Sequence, residues 1–418
     1  MEKFIIRGGN RLYGRVRIKG AKNSVLPLLA GALLTDEKVT LHDCPDISDV
    51  RYMLEILKSL GVSVGRTGDD ISVWGGVRNG NIPEALAKEI RSSVFLMGSL
   101  VGKHGQARVA YPGGCDIGLR PIDVHVKALR ELNINIDEQS GYINCSSDEI
   151  RGADVQLDKI SVGATENAIM AAVLAKGRTT IRNAAKEPEI ADLADMLNKM
   201  GAKIRGAGGA VVTIDGVESL SGCEHTPIPD RIVAGTLMTA VGMTGGEIEL
   251  ENVVPEHLSA ISSKLVESAC KVRAFCDRIT ISGNGKSKAV DIETSPYPAF
   301  PTDMQAQLMA LDAVSEGTGI IVENIFETRF KHVPDLRHMG ADITVRGDVA
   351  VVRGVEKLYG AEVCASDLRG GSALVLAGLR AEGTTVVGGV KHIDRGYEKL
   401  DEILSLLGAE IQRKNMNE

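Results

Sequence analysis

The sequence predicts a two-domain α/β protein built from six βαβαββ-type repeats, with three repeats in each domain. Its length of 418 residues exceeds what one hydrophobic core usually supports and suits two domains. A short glycine-containing segment also recurs about every 70 residues along the chain. The composition, 44% hydrophobic and 25% charged, is typical of a globular protein with sizeable cores. Aromatic residues make up only 3%, so those cores must be largely aliphatic.

The recurring segment joins a hydrophobic residue, a glycine and a following strand. A glycine at this place ends an amphipathic helix, because it adopts the left-handed conformation that a helix C-terminus favours. We therefore expect each repeat to contain an apolar helix, a strand, an amphipathic helix and two further strands. The clear copies are Leu60–Val64, Met200–Ile204, Met339–Ile343 and Leu407–Ile411, and the weaker ones are Leu132–Ile136 and Ala269–Val272.

The first helix of each repeat is apolar nearly all round. A helix of this kind is buried on every side, so three repeats that stack around three such helices would form one domain. A cleft between two domains of this kind is the expected ligand site. The six helices are predicted at Val25–Leu34, Val94–Val101, Ala168–Ala175, Val233–Val241, Leu308–Val314 and Ala373–Leu379.

Composition also excludes several classes of function. A formal charge of −7, without a basic run and with few aromatic residues, argues against nucleic acid as a partner. The seven cysteines form no paired motif, and the eight histidines lack metal-ligand spacing, so we predict no disulfide framework, no metal and no cofactor. No apolar run approaches the roughly 18 residues that span a bilayer, and no signal peptide is recognisable, so we expect a cytoplasmic protein without membrane insertion.

Charged residues recur where the apolar helices begin. A helix N-terminus carries a partial positive charge, so a cation there is unfavourable unless an anion binds nearby. Any single cation of this kind is more often paired with a local acid. Recurrence at equivalent places in the repeats instead favours a polyanionic ligand. The residues are Lys22, Arg91, Lys159 with Ser161, Arg231, Asp303, and Asp367 with Arg369.

The second repeat contains an unusual insertion at residues 111–123. It is rich in glycine and presents a thiol, Cys115, and a guanidinium, Arg120, while Pro121 suits the first turn of the next helix. Most cysteines are inert buried residues, but a thiol beside a cation in an exposed glycine-rich loop is typical of a reactive one. The loop therefore indicates a functional site.

Residues 112–123 resemble the mobile catalytic loop of the UDP-N-acetylglucosamine enolpyruvyl transferases, and the likeness extends along the whole chain. The resemblance implies an inside-out α/β barrel fold with domains at residues 22–228 and at residues 1–21 plus 229–418. The first domain would carry the Cys115 loop, and the second Asp303, Arg369 and Arg395. The other matching segments are Lys19–Ser24, Asp158–Thr165, Asn183–Ile190, Phe300–Gln305, Asp367–Arg369 and His392–Glu398.

The resemblance also implies a reaction. The enolpyruvyl group of phosphoenolpyruvate is transferred to the 3-hydroxyl of UDP-N-acetylglucosamine by addition and elimination, and phosphate is released. This is the first committed step of peptidoglycan synthesis. It uses two small-molecule substrates and no cofactor, and the epoxide antibiotic fosfomycin inactivates the family through its loop cysteine.

The family pattern assigns roles to individual residues. Asp303 would take the proton of the hydroxyl, and Cys115 would act as general acid, with Lys22 and Arg395 as further catalytic groups. His125 either lines the same site or is a satisfied surface histidine. The phosphoenolpyruvate-binding residues would be Lys22, Asn23, Arg91, Arg120, Arg369 and Arg395. The UDP-sugar-binding residues would be Asn23, Arg91, Arg120, Pro121, Ile122, Asp123, Val124, Lys159, Ser161, Val162, Gly163, Asp303 and Ile325.

Two alternatives remain open at this point. The first is an enolpyruvyl transferase that acts on shikimate 3-phosphate, although the cysteine loop argues against it. The second is a non-catalytic regulatory paralogue that binds a UDP-sugar, against which the intact Cys115, Asp303 and Arg395 argue. Departures from the family pattern at Asp116, Thr328 and Gly370 affect the expected loop motion and substrate affinity more than the reaction.

Overall fold

The structure is a computed structural model that describes residues 2–111, 113, 118 and 122–415. The chain folds into two compact units, each with its own hydrophobic core. The N-terminal unit contains the described residues from 20 to 111 and from 122 to 228. The C-terminal unit contains residues 2–19 and 229–415 together with Gly118, so both ends of the described chain lie in the same unit.

The helices and strands follow one another in chain order. The helices are α1 Lys22–Gly31, α2 Ser48–Ser59, α3 Glu84–Glu89, α4 Leu96–His104, α5 Asp123–Glu131, α6 Val162–Ala172, α7 Pro188–Lys199, α8 Arg231–Thr244, α9 Ser259–Glu267, α10 Gln305–Asp312, α11 Val333–His338, α12 Leu368–Arg380, α13 Val390–Ile393 and α14 Leu400–Leu406. Short 3₁₀ turns lie at Ala32–Leu34, Arg91–Phe95, Pro255–Leu258 and Thr302–Met304. The strands are β1 Glu2–Arg7, β2 Leu12–Arg17, β3 Val39–Leu41, β4 Ser63–Thr67, β5 Asp70–Trp74, β6 Gln106–Ala110, β7 Asn135–Gln139, β8 Tyr142–Ser146, β9 Asp154–Gln156, β10 Arg178–Arg182, β11 Lys203–Arg205, β12 Val211–Asp215, β13 Cys223–His225, β14 Gly246–Glu251, β15 Lys271–Ala274, β16 Arg278–Gly283, β17 Ile292–Glu293, β18 Thr318–Val322, β19 Asp342–Arg346, β20 Val349–Arg353, β21 Glu362–Cys364, β22 Thr384–Gly388 and β23 Glu410–Asn415.

Each unit has three small sheets in its described part, and these sheets share one pattern. A central strand pairs in parallel with an edge strand on one side and antiparallel on the other with the first of two strands that are antiparallel to each other. In the sheet of β6 the parallel partner is reduced to a single bridge between Asn81 and Arg108. The strand orders are β13-β3-β5-β4, β6-β8-β7 and β11-β12-β10-β9 in the N-terminal unit, and β15-β16-β14-β2, β17-β18-β20-β19 and β21-β22-β1-β23 in the C-terminal unit.

The first strand of the chain completes the last repeat. Strand β1 lies between β22 and β23 and pairs antiparallel with both. Phe4 and Ile6, on its inner face, are fully buried in the core of the C-terminal unit. Since β2 then supplies the parallel edge strand for β14, residues 2–17 belong to two sheets of the unit that the chain re-enters at residue 229.

The inner helices are buried as predicted. In α6 every residue from Ala164 to Ala172 is buried, and in α12 every residue from Leu368 to Leu379 is buried. The outer helices are amphipathic, and α7 begins at Pro188 and is followed by Gly201 with a φ of 107°. Each unit thus has buried helices on the inside and sheets on the outside, and the six sheets follow the six repeats. This arrangement confirms the predicted fold class.

Candidate active site

Asp303 lies in the 3₁₀ turn at the start of α10 and is held by two guanidinium groups. Its Oδ1 accepts a hydrogen bond from Nη2 of Arg329 at 2.8 Å, and its Oδ2 accepts one from Nη2 of Arg369 at 2.9 Å. Burial alone would raise the pKa of Asp303, but attraction and hydrogen bonding by Arg369 and Arg329 outweigh it and hold that pKa well below its usual range. The carboxylate is therefore firmly ionised.

Arg369 is placed in the first turn of α12 by a conventional cap. Oδ1 of Asp367 accepts hydrogen bonds from the backbone N–H groups of Arg369 and Gly370, both at 2.9 Å. Arg369 is only 3% exposed, and within the described residues its Nε and Nη1 have no hydrogen-bond partner. A buried cation with unused donors beside a helix N-terminus is suited to bind an anion.

Arg329 was not recognised as a site residue from the sequence. It is only 4% exposed, its Cζ lies 5.4 Å from the centre of the Phe326 ring, and it supplies half of the Asp303 clamp. The only signal for it in the sequence is a charged residue next to Thr328, at a place where the chain departs from the family pattern. It lies 26 residues from Asp303, beyond strand β18, so the two residues share no helix or strand whose period could link them.

Glu323 is a second residue that the sequence did not reveal. Its buried carboxylate accepts hydrogen bonds at 2.9 Å from the hydroxyl groups of Thr294 and Thr302. It also accepts one at 2.9 Å from the backbone N–H of Ile325. Glu323 thus fixes the half-buried Ile325 relative to the turn that carries Asp303.

A buried polar network joins the three inner helices of the C-terminal unit. Its centre is Tyr397, which is 1% exposed and follows the half-buried Arg395 by two residues. The Tyr397 hydroxyl lies 2.8 Å from Oγ1 of Thr236 in α8, 3.2 Å from Nε2 of Gln307 in α10 and 3.2 Å from Oγ of Ser372 in α12. These contacts tie the segment of Arg395 to the helices whose first turns carry the charged residues.

Lys22 begins α1 in the N-terminal unit and is paired with an acid. Its Nζ lies 2.7 Å from Oδ2 of Asp49, a side chain in the first turn of α2 that is only 4% exposed. Helix α1 has no side-chain cap and no acidic residue in its first turn. Asp49 therefore compensates a cation that would otherwise be unfavourable at a helix N-terminus.

Ser161 caps α6, and the sequence predicts that the start of this helix contacts the sugar nucleotide. Its Oγ accepts a hydrogen bond from the backbone N–H of Ala164 at 3.3 Å. The N–H groups of Val162 and Gly163 belong to the first turn, where no carbonyl of the helix is in reach, so they are suited to an anionic oxygen. A Cβ added at Gly163 would lie 2.8 Å from Cε1 of His125, so only glycine fits there.

His125 is buried, which contradicts the alternative of a surface histidine. The backbone N–H of Gly98 donates to Oδ1 of Asn167 at 2.7 Å, so the Nδ2 end of that amide faces the carbonyl of Val94 at 3.0 Å and Nδ1 of His125 at 2.9 Å. Because Nδ2 is a donor, Nδ1 of His125 acts as the acceptor and the imidazole proton lies on Nε2.

The remaining predicted residues lie at other helix starts or outside the described part. Arg91 is half-buried and begins the 3₁₀ turn before α4, and that turn packs against both α1 and α6. Asn23 and Lys159 are exposed. Ile122 is buried, Asp123 is the exposed first residue of α5, and Val124 is half-buried. Cys115, Arg120 and Pro121, with Asp116, lie outside the described residues.

The described residues contain neither a candidate metal site nor a candidate membrane span. Among them, no group of three or more histidine, cysteine, aspartate or glutamate side chains is arranged to hold a metal ion. In the same part of the chain, no helix combines the length and the apolar character that crossing a membrane requires.

Comparisons with known proteins agree with the fold. The model of the family described as EPSP synthase (3-phosphoshikimate 1-carboxyvinyltransferase) matches residues 6–404. The crystal structure of the enolpyruvyl transferase NikO from Streptomyces tendae superimposes with a TM-score of 0.89 at 25% identity, over 100% of this chain and 99% of that one. EPSP synthase from Acinetobacter baumannii superimposes with a TM-score of 0.75 at 18% identity, over 99% of this chain and 100% of that one. The class of protein is therefore an enolpyruvyl transferase of two α/β domains.

Curated relatives show which family of enolpyruvyl transferases the chain is most similar to among those compared. UDP-N-acetylglucosamine 1-carboxyvinyltransferase 2 of Caldanaerobacter subterraneus subsp. tengcongensis is 52% identical over 99% of this chain and 100% of its own length. UDP-N-acetylglucosamine 1-carboxyvinyltransferase of Myxococcus xanthus is 49% identical over the same shares. The chain belongs to the UDP-N-acetylglucosamine 1-carboxyvinyltransferase family.

Proposed function

We propose that the protein transfers the enolpyruvyl group of phosphoenolpyruvate to the 3-hydroxyl of UDP-N-acetylglucosamine and releases phosphate. The observation that carries this proposal is the cluster of Asp303, Arg329 and Arg369 at the starts of two inner helices. Its carboxylate could accept the proton of a hydroxyl group, and its buried guanidinium groups could donate hydrogen bonds to an anion. The reaction needs both, since a neutral hydroxyl must attack a substrate that carries a phosphate and a carboxylate.

Asp303 would accept the hydroxyl proton as the sugar oxygen bonds to C2 of phosphoenolpyruvate. In its double ion pair the carboxylate is a weak base because its pKa is low. An anionic substrate that draws Arg369 toward itself would remove part of that effect and raise the pKa of Asp303. The base would thus become effective when phosphoenolpyruvate is bound, which is where it is needed.

Cys115 would donate the proton that C3 receives during the addition. The resulting tetrahedral intermediate carries the sugar oxygen, the carboxylate and the phosphate on C2. Elimination then breaks the bond between C2 and the phosphate oxygen, which takes the proton held by Asp303, while C3 gives one of its three protons to the Cys115 thiolate and the double bond forms again. Phosphate leaves, and the enolpyruvyl ether of the sugar remains.

One set of groups would bind phosphoenolpyruvate and another the sugar nucleotide, and some residues would belong to both sets. For the phosphate and carboxylate of phosphoenolpyruvate we propose planar guanidinium forks and one ammonium, which together give directed and charge-assisted hydrogen bonds. These residues are Lys22, Asn23, Arg91, Arg120, Arg369 and Arg395. Lys22 and Arg395 would also take part in catalysis by stabilising the charge that develops on the phosphate and the carboxylate.

The sugar nucleotide would bind against the start of α6. Backbone N–H groups at a helix N-terminus suit a diphosphate, and Ser161 and Lys159 lie beside them. The proposed contacts are Asn23, Arg91, Arg120, Pro121, Ile122, Asp123, Val124, Lys159, Ser161, Val162, Gly163, Asp303 and Ile325. We further propose residues 22–228 and residues 1–21 plus 229–418 as the two functional domains.

This activity would place the protein at the first committed step of peptidoglycan synthesis and thus in cell-wall biogenesis. We infer a cytoplasmic location, because the activity draws on soluble phosphoenolpyruvate and a nucleotide sugar. The net charge of −7 supports small anionic substrates held by a few local cations rather than a nucleic-acid partner.

Phosphate release with two acceptors tests the proposal. Purified protein is incubated with phosphoenolpyruvate and either UDP-N-acetylglucosamine or shikimate 3-phosphate. Release with the nucleotide sugar alone supports the proposal, and release with shikimate 3-phosphate alone contradicts it. Cys115→Ser should lose fosfomycin inactivation, and full turnover with unchanged inactivation in that variant would remove the role assigned to the thiol.

A further inference from the structure

The start of α1 is held by a closed ring of hydrogen bonds rather than by a cap. The backbone N–H of Ala21 donates to the carbonyl of Ile228 at 2.7 Å, and the N–H of Ile228 donates to Oδ2 of Asp192 at 3.1 Å. The hydroxyl of Ser24, in the first turn of α1, donates to the same Oδ2. The ring encloses Lys22 and Asn23, which therefore sit on backbone whose two ends are tied to one carboxylate.

Asp192 is buried and accepts a third hydrogen bond. It lies in α7 with 4% of the residue exposed, and its Oδ1 is 2.7 Å from Nε2 of His225. His225 is itself fixed by the backbone, because β13 pairs with β3 and its carbonyl accepts the N–H of His42 at 2.9 Å. The carboxylate thus joins α7, α1 and the segment that leads from β13 to Ile228.

The direction of every hydrogen bond in this cluster is determined. Nζ of Lys199 lies 3.0 Å from Nδ1 of His225, and an ammonium can only donate, so Nδ1 is the acceptor. His225 then carries its proton on Nε2 and donates to Asp192. The backbone N–H of Ile228 can also only donate. Asp192 is therefore required as an acceptor on both oxygens, which a carboxylate satisfies and an amide does not.

We propose that Asp192 is a positioning residue for the start of α1, and through it for Lys22 and Asn23 in phosphoenolpyruvate binding. The inference rests on the proposed function, since it assumes that these two residues contact that substrate. Misplacement of a binding group by about 1 Å can reduce catalysis by up to ~100-fold, so a residue that never touches substrate can control its binding. Asp192 does so through hydrogen bonds of fixed polarity.

Because the direction of each hydrogen bond is fixed, Asp192→Asn should be harmful on its own, and a second substitution at Lys199 should relieve the harm. In Asp192→Asn the amide oxygen must face Ile228 and Ser24, because the backbone N–H cannot be reversed. The amide NH₂ then faces Nε2–H of His225, so two donors oppose each other. His225 can relieve this conflict only by moving its proton to Nδ1, where it would oppose Lys199. Removing the ammonium in Asp192→Asn/Lys199→Met makes that tautomer available.

We expect Asp192→Asn to raise KM for phosphoenolpyruvate about 10- to 100-fold, with a smaller effect on KM for the nucleotide sugar. The double variant should recover most of this loss, whereas Lys199→Met alone should stay close to the wild type. Ser24→Ala should show a milder effect in the same direction. The matched control is Asn198→Ala in the same helix, which loses two hydrogen bonds to Ile204 but none to α1, and which should leave KM unchanged.

The tautomer of His225 gives a test that is independent of activity. The ¹⁵N chemical shifts of the imidazole should report Nε2–H in the wild type and Nδ1–H in Asp192→Asn/Lys199→Met. An unchanged KM for phosphoenolpyruvate in a folded Asp192→Asn variant would overturn the inference, and so would a double variant no better than Asp192→Asn. If the wild-type protein released no phosphate with the nucleotide sugar, the proposed function would fail instead.

Discussion

At the scale of single residues, Asp303 combines two requirements that oppose each other. A general base works best when its pKa is close to the working pH, yet Arg329 and Arg369 hold the pKa of Asp303 far below it. The same guanidinium groups are the buried donors that an anionic substrate needs. The free protein therefore stabilises the ionised carboxylate, and substrate binding is what would adjust its basicity.

Replacing Arg329 by methionine should raise the pKa of Asp303, because one of its two cationic partners is lost. The carboxylate must be ionised to accept a proton, so activity at low pH should be lost first. We expect the acid limb of the pH profile of kcat/KM to move to higher pH in Arg329→Met. Arg346→Met, at an exposed position of the same unit, is the control and should leave the profile in place. An unchanged acid limb in Arg329→Met would contradict this reading of the cluster.

Gly163 is a second residue at which a small change should have a specific effect. A Cβ there would lie 2.8 Å from Cε1 of His125 and 2.8 Å from Cε1 of Phe95. Gly163→Ala should therefore displace the first turn of α6 and raise KM for UDP-N-acetylglucosamine roughly tenfold or more, with little change for phosphoenolpyruvate. In the control Gly388→Ala the nearest atom is 3.6 Å away, so both constants should stay as in the wild type. Equal effects of the two substitutions would argue against a nucleotide-sugar site at α6.

At the scale of elements, the inner helices must be buried and yet present charged first turns. The network around Tyr397 reconciles these demands in the C-terminal unit. It supplies hydrogen-bond partners inside the core to the hydroxyl groups of Thr236 and Ser372 and to Nε2 of Gln307. Gln307 also donates to the carbonyl of Asp303 at 2.9 Å, so the network reaches the turn that carries the proposed base.

Tyr397→Phe keeps the ring and removes the hydroxyl, so Thr236, Gln307 and Ser372 each lose one hydrogen bond and keep the one to a backbone carbonyl. Each lost hydrogen bond inside a core costs roughly 0.5–1.5 kcal/mol, and an unsatisfied buried group costs more. We expect the free energy of unfolding of the C-terminal unit to fall by about 1–3 kcal/mol in urea denaturation. Tyr359→Phe, at a side chain that is 57% exposed, should change it by less than about 0.5 kcal/mol. A Tyr397→Phe protein as stable as the wild type would show that the hydroxyl contributes little.

The sequence predicted the elements better than it predicted their contacts. The repeat, the apolar inner helices and the helix ends depend on local period and on glycine, as at Gly201, and these are visible in a linear sequence. The pairing of Asp303 with Arg329, or of Ser24 with Asp192 across 168 residues, depends on how helices pack. No period encodes such contacts, so Arg329, Glu323 and Asp192 could not be identified as site or positioning residues from the sequence alone.

At the scale of the whole molecule, strands from the two ends of the sequence pair in one sheet. Strand β1 completes the sheet of the last repeat, so the C-terminal unit depends on residues from both ends of the sequence. The described residues of the N-terminal unit all lie between the two crossings near residues 19–20 and 228–229. Each unit therefore has a core of its own and should respond separately to a core substitution.

Ile6→Ala should destabilise the C-terminal unit selectively, because Ile6 is fully buried in its core. Loss of a buried isoleucine side chain typically costs about 2–5 kcal/mol. The single tryptophan, Trp74, lies in the N-terminal unit, so its fluorescence reports that unit alone. We expect Ile6→Ala to lower the midpoint seen by circular dichroism but not the one seen by Trp74. The counterpart Ile181→Ala should lower the Trp74 midpoint. A Trp74 transition that follows Ile6→Ala would contradict separate cores.

The most direct test of enolpyruvyl transfer is the identity of the product formed in D₂O. Purified protein is incubated with phosphoenolpyruvate and UDP-N-acetylglucosamine, and the nucleotide product is analysed by NMR and mass spectrometry. Addition followed by elimination predicts an enolpyruvyl ether on the 3-oxygen, deuterium on its vinyl carbon and one equivalent of inorganic phosphate. A phosphorylated sugar with free pyruvate, or an enolpyruvyl ether without deuterium at that carbon, would contradict the proposed function or its mechanism.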